Sequence, residues 1–239
     1  MLGDFNTRMR RVKRIPAVLT QWSGFVPEVA TQVTQTAPPV LADGDVVLAF
    51  VMHRSVLTVI PSGFTLVAVA SGPAGYAGRD YDQYLSIYQK RASKSDAGCV
   101  DTWGQRDNER LIVGYHRYTG SHPLRITGAL PSWTHEGSHQ VPVPSLGALT
   151  AMSDVVLAAA TLNITTSSTV TAQVSAGWEI QSLATTGNLR LLVAAAVPVS
   201  PDTAPPVLDL WPGERMSGNF NASIALGWRH GDHALNPHQ

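Results

Sequence analysis

Three short motifs occur twice in this chain, in the same order and at a nearly constant separation. Gly44-Asp45-Val46-Val47-Leu48-Ala49 is matched by Ser153-Asp154-Val155-Val156-Leu157-Ala158. Ser62-Gly63-Phe64-Thr65-Leu66 is matched by Ala176-Gly177-Trp178-Glu179-Ile180, and Leu85-Ser86-Ile87-Tyr88 by Leu189-Arg190-Leu191-Leu192. Such a chain folds either into two small units or into one unit made of two similar halves. Each half offers only about four or five clear strands, thin for an independent sandwich. Two Greek keys of that size together make the eight or so strands of a jelly roll. The expected fold is therefore all-β: a jelly-roll-like β-sandwich of two similar Greek-key halves.

The strands themselves follow from period-2 patterning. Phe220, Ala222, Ile224, Leu226 and Trp228 alternate with smaller or polar residues and fall on one face of a strand. Further strands are expected over 45–52, 64–70, 84–91, 111–118, 154–160, 170–174, 178–184 and 189–197. Residues 1–36 differ. Pro16 and Pro27 interrupt them and the alternation is absent, so they read as an extended N-terminal anchoring arm. The sandwich is then expected over 37–230, with pseudo-repeats 37–125 and 140–230, and 231–239 as a polar tail.

Lys+Arg and Asp+Glu both number 17, and charged residues are only 14% of the chain. A neutral balance argues against general nucleic-acid binding, which depends on neutralising phosphates. The low charge suits a surface partly covered by other subunits. Arg8, Arg10, Arg11, Lys13 and Arg14 form the one basic cluster. With Trp22 and Phe25 they are the expected partner-binding residues of the arm. Cys99 is the only cysteine, which excludes an internal disulfide, and it reads as a small buried residue. No apolar run approaches the ~18 residues that span a membrane, and Pro16, Gln21, Pro27 and Glu28 interrupt any signal-peptide core.

His135-Glu136-Gly137-Ser138-His139 has the zinc-protease spacing. That chemistry needs a helix to put both imidazoles on one face. Pro131, Gly137, Pro142 and Pro144 oppose one, so the motif reads as a loop. No catalytic residue, metal site or cofactor is assigned. His116 is expected on the polar face of its strand. Arg79-Asp80-Tyr81-Asp82 reads as a polar loop. Tyr81, Trp103 and Trp133 lie in turn-rich stretches and are the candidate glycan-binding aromatics, weighed against a role in covering the sandwich ends.

The lead-in Pro38-Pro39, the Gly44-Asp45 strand start, the Pro61-Ser62-Gly63-Phe64 turn and Leu85-Ser86-Ile87-Tyr88-Gln89-Lys90-Arg91-Ala92 together resemble virion-associated jelly-roll structural proteins of phages and prophages, of decoration, tail or fibre type. The strand 111–118 followed by Gly120 also fits, so the likeness runs over about residues 37–228. Phe64 stands where Trp is more usual, and Trp178 keeps it. The resemblance implies a non-enzymatic virion protein that contacts capsid or tail subunits and forms homo-oligomers. A carbohydrate-binding receptor-recognition module is the alternative.

Overall fold

The computed structural model describes residues 18–76, 79–119, 124–135, 140–147, 155–163, 172–186, 189–196, 203, 205–210 and 220–230. Its strands are β1 (Val18–Thr36), β2 (Val46–His53), β3 (Leu57–Val59), β4 (Thr65–Tyr76), β5 (Arg79–Arg91), β6 (Val100–Thr119) and β7 (Leu124–His135). They continue with β8 (Gln140–Val141), β9 (Val155–Asn163), β10 (Gln173–Val174), β11 (Glu179–Thr186), β12 (Leu189–Ala196), β13 (Leu208–Asp209) and β14 (Phe220–His230). Every ladder among the described residues is antiparallel, and the molecule is an all-β sandwich.

Two large sheets form its centre. The first runs β1-β6-β2-β5-β4 and the second β7-β14-β9-β12-β11, so the same strand order appears twice. Each sheet takes all its strands from one half of the chain. The finer jelly-roll connectivity, which would interleave strands of both halves in each sheet, has no counterpart in these pairings.

The repetition extends to detail. Phe64 N–H donates to the Pro61 carbonyl and Trp178 N–H to the Ser175 carbonyl, both at 3.3 Å. Gly63 and Gly177 hold φ of 85° and 84° in these turns, where a side chain would be strained. One residue is then bulged out between Leu66 and Ala68, and again between Ile180 and Ser182. Ladder registers give the equivalences. Leu48 pairs with His116 as Leu157 pairs with Leu226, and Met52 pairs with Leu85 as Thr161 pairs with Leu191. Leu85 therefore corresponds to Leu191, two residues past the partner the motif match selects.

Alternation sends one face of each large sheet into a shared core. Leu48, Phe50, Met52, Ile87 and Ile112 of the first meet Leu157, Leu191, Val193, Ile224 and Leu226 of the second. The other faces are apolar too, so each needs its own cover. Over the first sheet lies a small layer of β3, residues 100–104 of β6 and residues 32–36 of β1. Over the second lies β10-β13-β8. Phe64, Trp103 and Tyr115 fill the first outer core, and Trp178, Leu192 and Leu208 the second. Each half is thus a two-layer unit, and four layers stack through three cores. The lid strands are too short or too irregular to count from sequence, which is why each half looks too small to have its own core.

Residues 18–36 are not an arm outside the sandwich. They are the edge strand β1, paired with β6 from Val18↔Thr119 to Thr36↔Val100. Pro27 in β1 and Pro131 in β7 are tolerated because both strands sit at sheet edges, where one row of N–H groups needs no partner. The expected domain start at residue 37 therefore moves back to at least Val18.

Candidate functional site

The polar chemistry of the first half concentrates where β6 leaves the large sheet and enters the lid. Between Ala30↔Glu109 and Gln32↔Gly104 the ladder skips Gln105 to Asn108 on the β6 side. Gln105 braces this break, its Nε2 donating to the Ala30 carbonyl at 2.9 Å and to the Glu109 carbonyl at 2.6 Å. Arg106 N–H donates to the Val56 carbonyl at 2.9 Å. Ser55 Oγ donates to Asp107 Oδ2 at 2.7 Å, and the Asp107 amide meets the same Oγ at 3.3 Å.

His53 ties this corner to the sheet. Its Nδ1 lies 2.8 Å from the Ser55 carbonyl and can only donate there, so Nε2 accepts from Ser86 Oγ at 2.9 Å. The ring also stacks on Tyr84 at 4.8 Å. A serine hydroxyl on an imidazole whose other nitrogen is held by an acceptor is the polarity a nucleophilic dyad needs. Here both side chains are buried, and Ser86 sits mid-strand in β5 with neighbours on both sides, β2 and β4. The pair joins two neighbouring strands of one sheet, and the Ser55 carbonyl links it to the corner. Burial lowers the His53 pKa to about 4, with the Ser55 hydrogen bond opposing, so the ring is neutral above that.

A second network lies under the first lid. Trp103 Nε1 donates to Tyr115 Oη at 2.7 Å, and Tyr115 Oη donates to Asp101 Oδ2 at 2.9 Å. Burial pushes the Tyr115 phenol up, which keeps it protonated and donating. Trp103 has no exposed surface and packs edge-on against Phe64 and Tyr88. It is therefore corrected from a candidate glycan-binding aromatic to the centre of an outer core. In the second half Arg190 is almost wholly buried, and its Nη1 donates to the Leu210 carbonyl beside β13 at 2.6 Å.

His116 is corrected as well. It lies not on a polar face but in the central core. Its Nε2 is 2.6 Å from Ser182 Oγ of the opposite sheet and its Nδ1 3.2 Å from Tyr118 Oη. Burial alone lowers its pKa to about 3. Asp45 explains the Gly-Asp motif. Its Oδ2 accepts from the Ala42 N–H at 2.8 Å and from Arg117 Nε at 2.6 Å, fixing the turn that launches β2. Cys99 is exposed rather than buried, with Sγ 3.2 Å from the Ser95 carbonyl, because it ends a turn and faces outward.

Of the other expected site residues, Trp22 and Phe25 belong to the edge strand β1, Tyr81 to β5 and Trp133 to β7. Arg8, Arg10, Arg11, Lys13 and Arg14 lie outside the described residues. His135 ends a strand, paired with Phe220, while the rest of its motif lies outside the described residues. Among the described residues no group of three His, Cys, Asp or Glu is placed to hold a metal ion. Nor, among the described residues, is any helix long and apolar enough to cross a membrane.

What the first lid presents to solvent is uncharged. Gln32, Thr34 and Thr36 of β1 run beside Thr102 and Val100 of β6, opposite the buried Val33, Gln35 and Trp103. Leu66 and Ile180, at equivalent positions just before the bulges, are 54% and 37% exposed. No family model, curated protein or solved structure matches this chain.

Proposed function

We propose that this chain is a non-enzymatic structural protein of a tailed-phage virion, serving as a capsid decoration or tail component. One observation carries the reading: the side chains with chemical capacity are tied up structurally, His53 and Ser86 buried against each other within the first sheet, Asp107 bound to Ser55 at the lid corner, and His116 and Arg190 bridging between layers. The surface they leave is uncharged over the first lid, with exposed aliphatic residues at the sheet edges. Such surface suits contact with neighbouring subunits better than turnover of a small substrate. The resemblance of the Gly-Asp strand starts and Gly-aromatic turns to phage jelly-roll proteins supports the same class. Docking is assigned to the basic segment Arg8 to Arg14, which precedes the edge strand. The glycan-binding alternative loses Trp103 and rests on Tyr81 and Trp133.

The test compares two deletions in assembled particles. Removing residues 1–17 leaves β1 intact and is expected to give a folded protein absent from virions. Removing residues 1–30 also takes most of the edge strand and is expected to destabilise the fold. Normal incorporation of the shorter deletion would refute the docking role, and absence of the wild-type chain from purified virions would refute the virion assignment.

A further inference from the structure

The two large sheets meet with a pseudo-twofold relation: β4 lies beside β7 and β1 beside β11, so the first strand of each sheet borders the hairpin edge of the other. Nothing in strand order alone stops the first sheet from packing on a second copy of itself. The side chains differ. Leu48 with His116 in one sheet corresponds to Leu157 with Leu226 in the other, and Ile87 with Ala68 corresponds to Val193 with Ser182. The contact His116–Ser182 therefore has as its symmetry mate the positions Leu226 and Ala68, both within the same apolar core. One side of the interface is polar and its mate is greasy.

We propose that His116 and Ser182 determine the pairing, matching the inner face of each sheet to the unlike half and rejecting the like half of a second chain. In a first-with-first pairing, each His116 would face Ala68 and lose its Ser182 contact, twice by symmetry. In a second-with-second pairing, each Ser182 hydroxyl would face Leu226. Buried hydrogen-bonding groups left without partners are penalised strongly, and one such group can specify a partner choice. Shape adds to this independently. Phe50 pairs with Gly114, whereas the equivalent positions carry Ala159 and Ile224, so bulk stands on β2 in one face and on β14 in the other. Like faces would set bulk on bulk.

The test is refolding of the full chain from denaturant over a range of concentrations, with mass read by light scattering. Ser182→Ala removes only the oxygen, and is expected to raise the fraction of species larger than wild type several-fold at high concentration. Ser182→Thr keeps a hydroxyl and is expected to match wild type. His116→Leu with Ser182→Ala gives both faces the residue types of Leu226 and Ala68. It is expected to show the largest mispaired fraction while regaining the denaturant midpoint lost in Ser182→Ala alone. Identical mass distributions for the alanine and threonine variants would overturn the proposal, as would a double variant that pairs as cleanly as wild type.

Discussion

The two halves share a strand order but secure their lids differently. In the first, β1 and β6 run unbroken from sheet to lid, and a corner of His53, Ser55, Asp107 and Gln105 braces the crossing. In the second, the equivalent strands are divided into β7 and β8, and into β13 and β14, and Arg190 reaches across to the lid carbonyl of Leu210. The aromatic content differs too. Tyr88 and Tyr115 support Trp103 in one outer core, and the corresponding positions in the other are Ala194 and Ala225. Duplicated topology thus tolerates different solutions of the same covering problem, because a lid needs shape and satisfied polar groups but no particular residues.

Truncating the anchors tests this contrast most strongly. Trp103→Ala and Trp178→Ala should each cost about 3–5 kcal/mol in denaturant unfolding. Trp103 should cost more, because Tyr115 also loses its indole donor under the lid. Equal losses would mean that the first lid gains nothing from its network.

Acid should act next, and through the first half. The buried imidazoles among the described residues, His53 and His116, both belong to the first sheet. Their folded pKa values, about 4 and about 3, lie below the ordinary 6.5, so the unfolded chain binds the extra protons. Stability is complete above pH ~6.5 and falls as pH drops toward the folded values, by about 1.4 kcal/mol per pH unit for each imidazole within that window. Unfolding midpoints measured from pH 7 to 4.5 should show this slope, and His116→Leu should remove about half of it. A flat profile would disprove the buried neutral state.

Asp45→Ala should cost about 1–3 kcal/mol, since it frees the Ala42 amide and removes a 2.6 Å ion pair with the mostly buried Arg117. Smallest are the turn glycines. Gly63→Ala and Gly177→Ala should each cost about 1 kcal/mol for the left-handed backbone. Gly63 should cost a few tenths more, because a Cβ there meets Lys90 Cε at 3.2 Å while Gly177 has open space. Lys90 is not free to yield without strain on its 2.7 Å contact with Asp96.

The central strands were legible as short apolar runs, which packing then uses on both faces: Ile224 and Leu226 point to the shared core and Ala225 to the outer one. Two of the edge strands, β1 and β7, were hidden by Pro27 and Pro131, which mimic loop composition where an edge merely leaves a donor unneeded. Lid strands such as β8 and β13, two residues each, carry no periodicity to read. His116 looked polar by type, yet its orientation follows from register with Leu48, which sequence alone does not supply. Trp103 looked exposed because it neighbours Asp101 and Gly104, and the ribbon's fold over the sheet turned that face inward.

The unbroken β1 and β6 have a kinetic consequence for amide exchange. A lid made from the same strands as the sheet below it cannot lift without disturbing the Gln105 brace and the ladder that resumes on either side of it. Amides such as those of Val33 and Trp103 should then exchange with the slow, cooperative class of the first sheet. The second lid hangs on separate two-residue strands, so the amides of Val141, Val174 and Leu208 should exchange first, through an opening that leaves both large sheets closed.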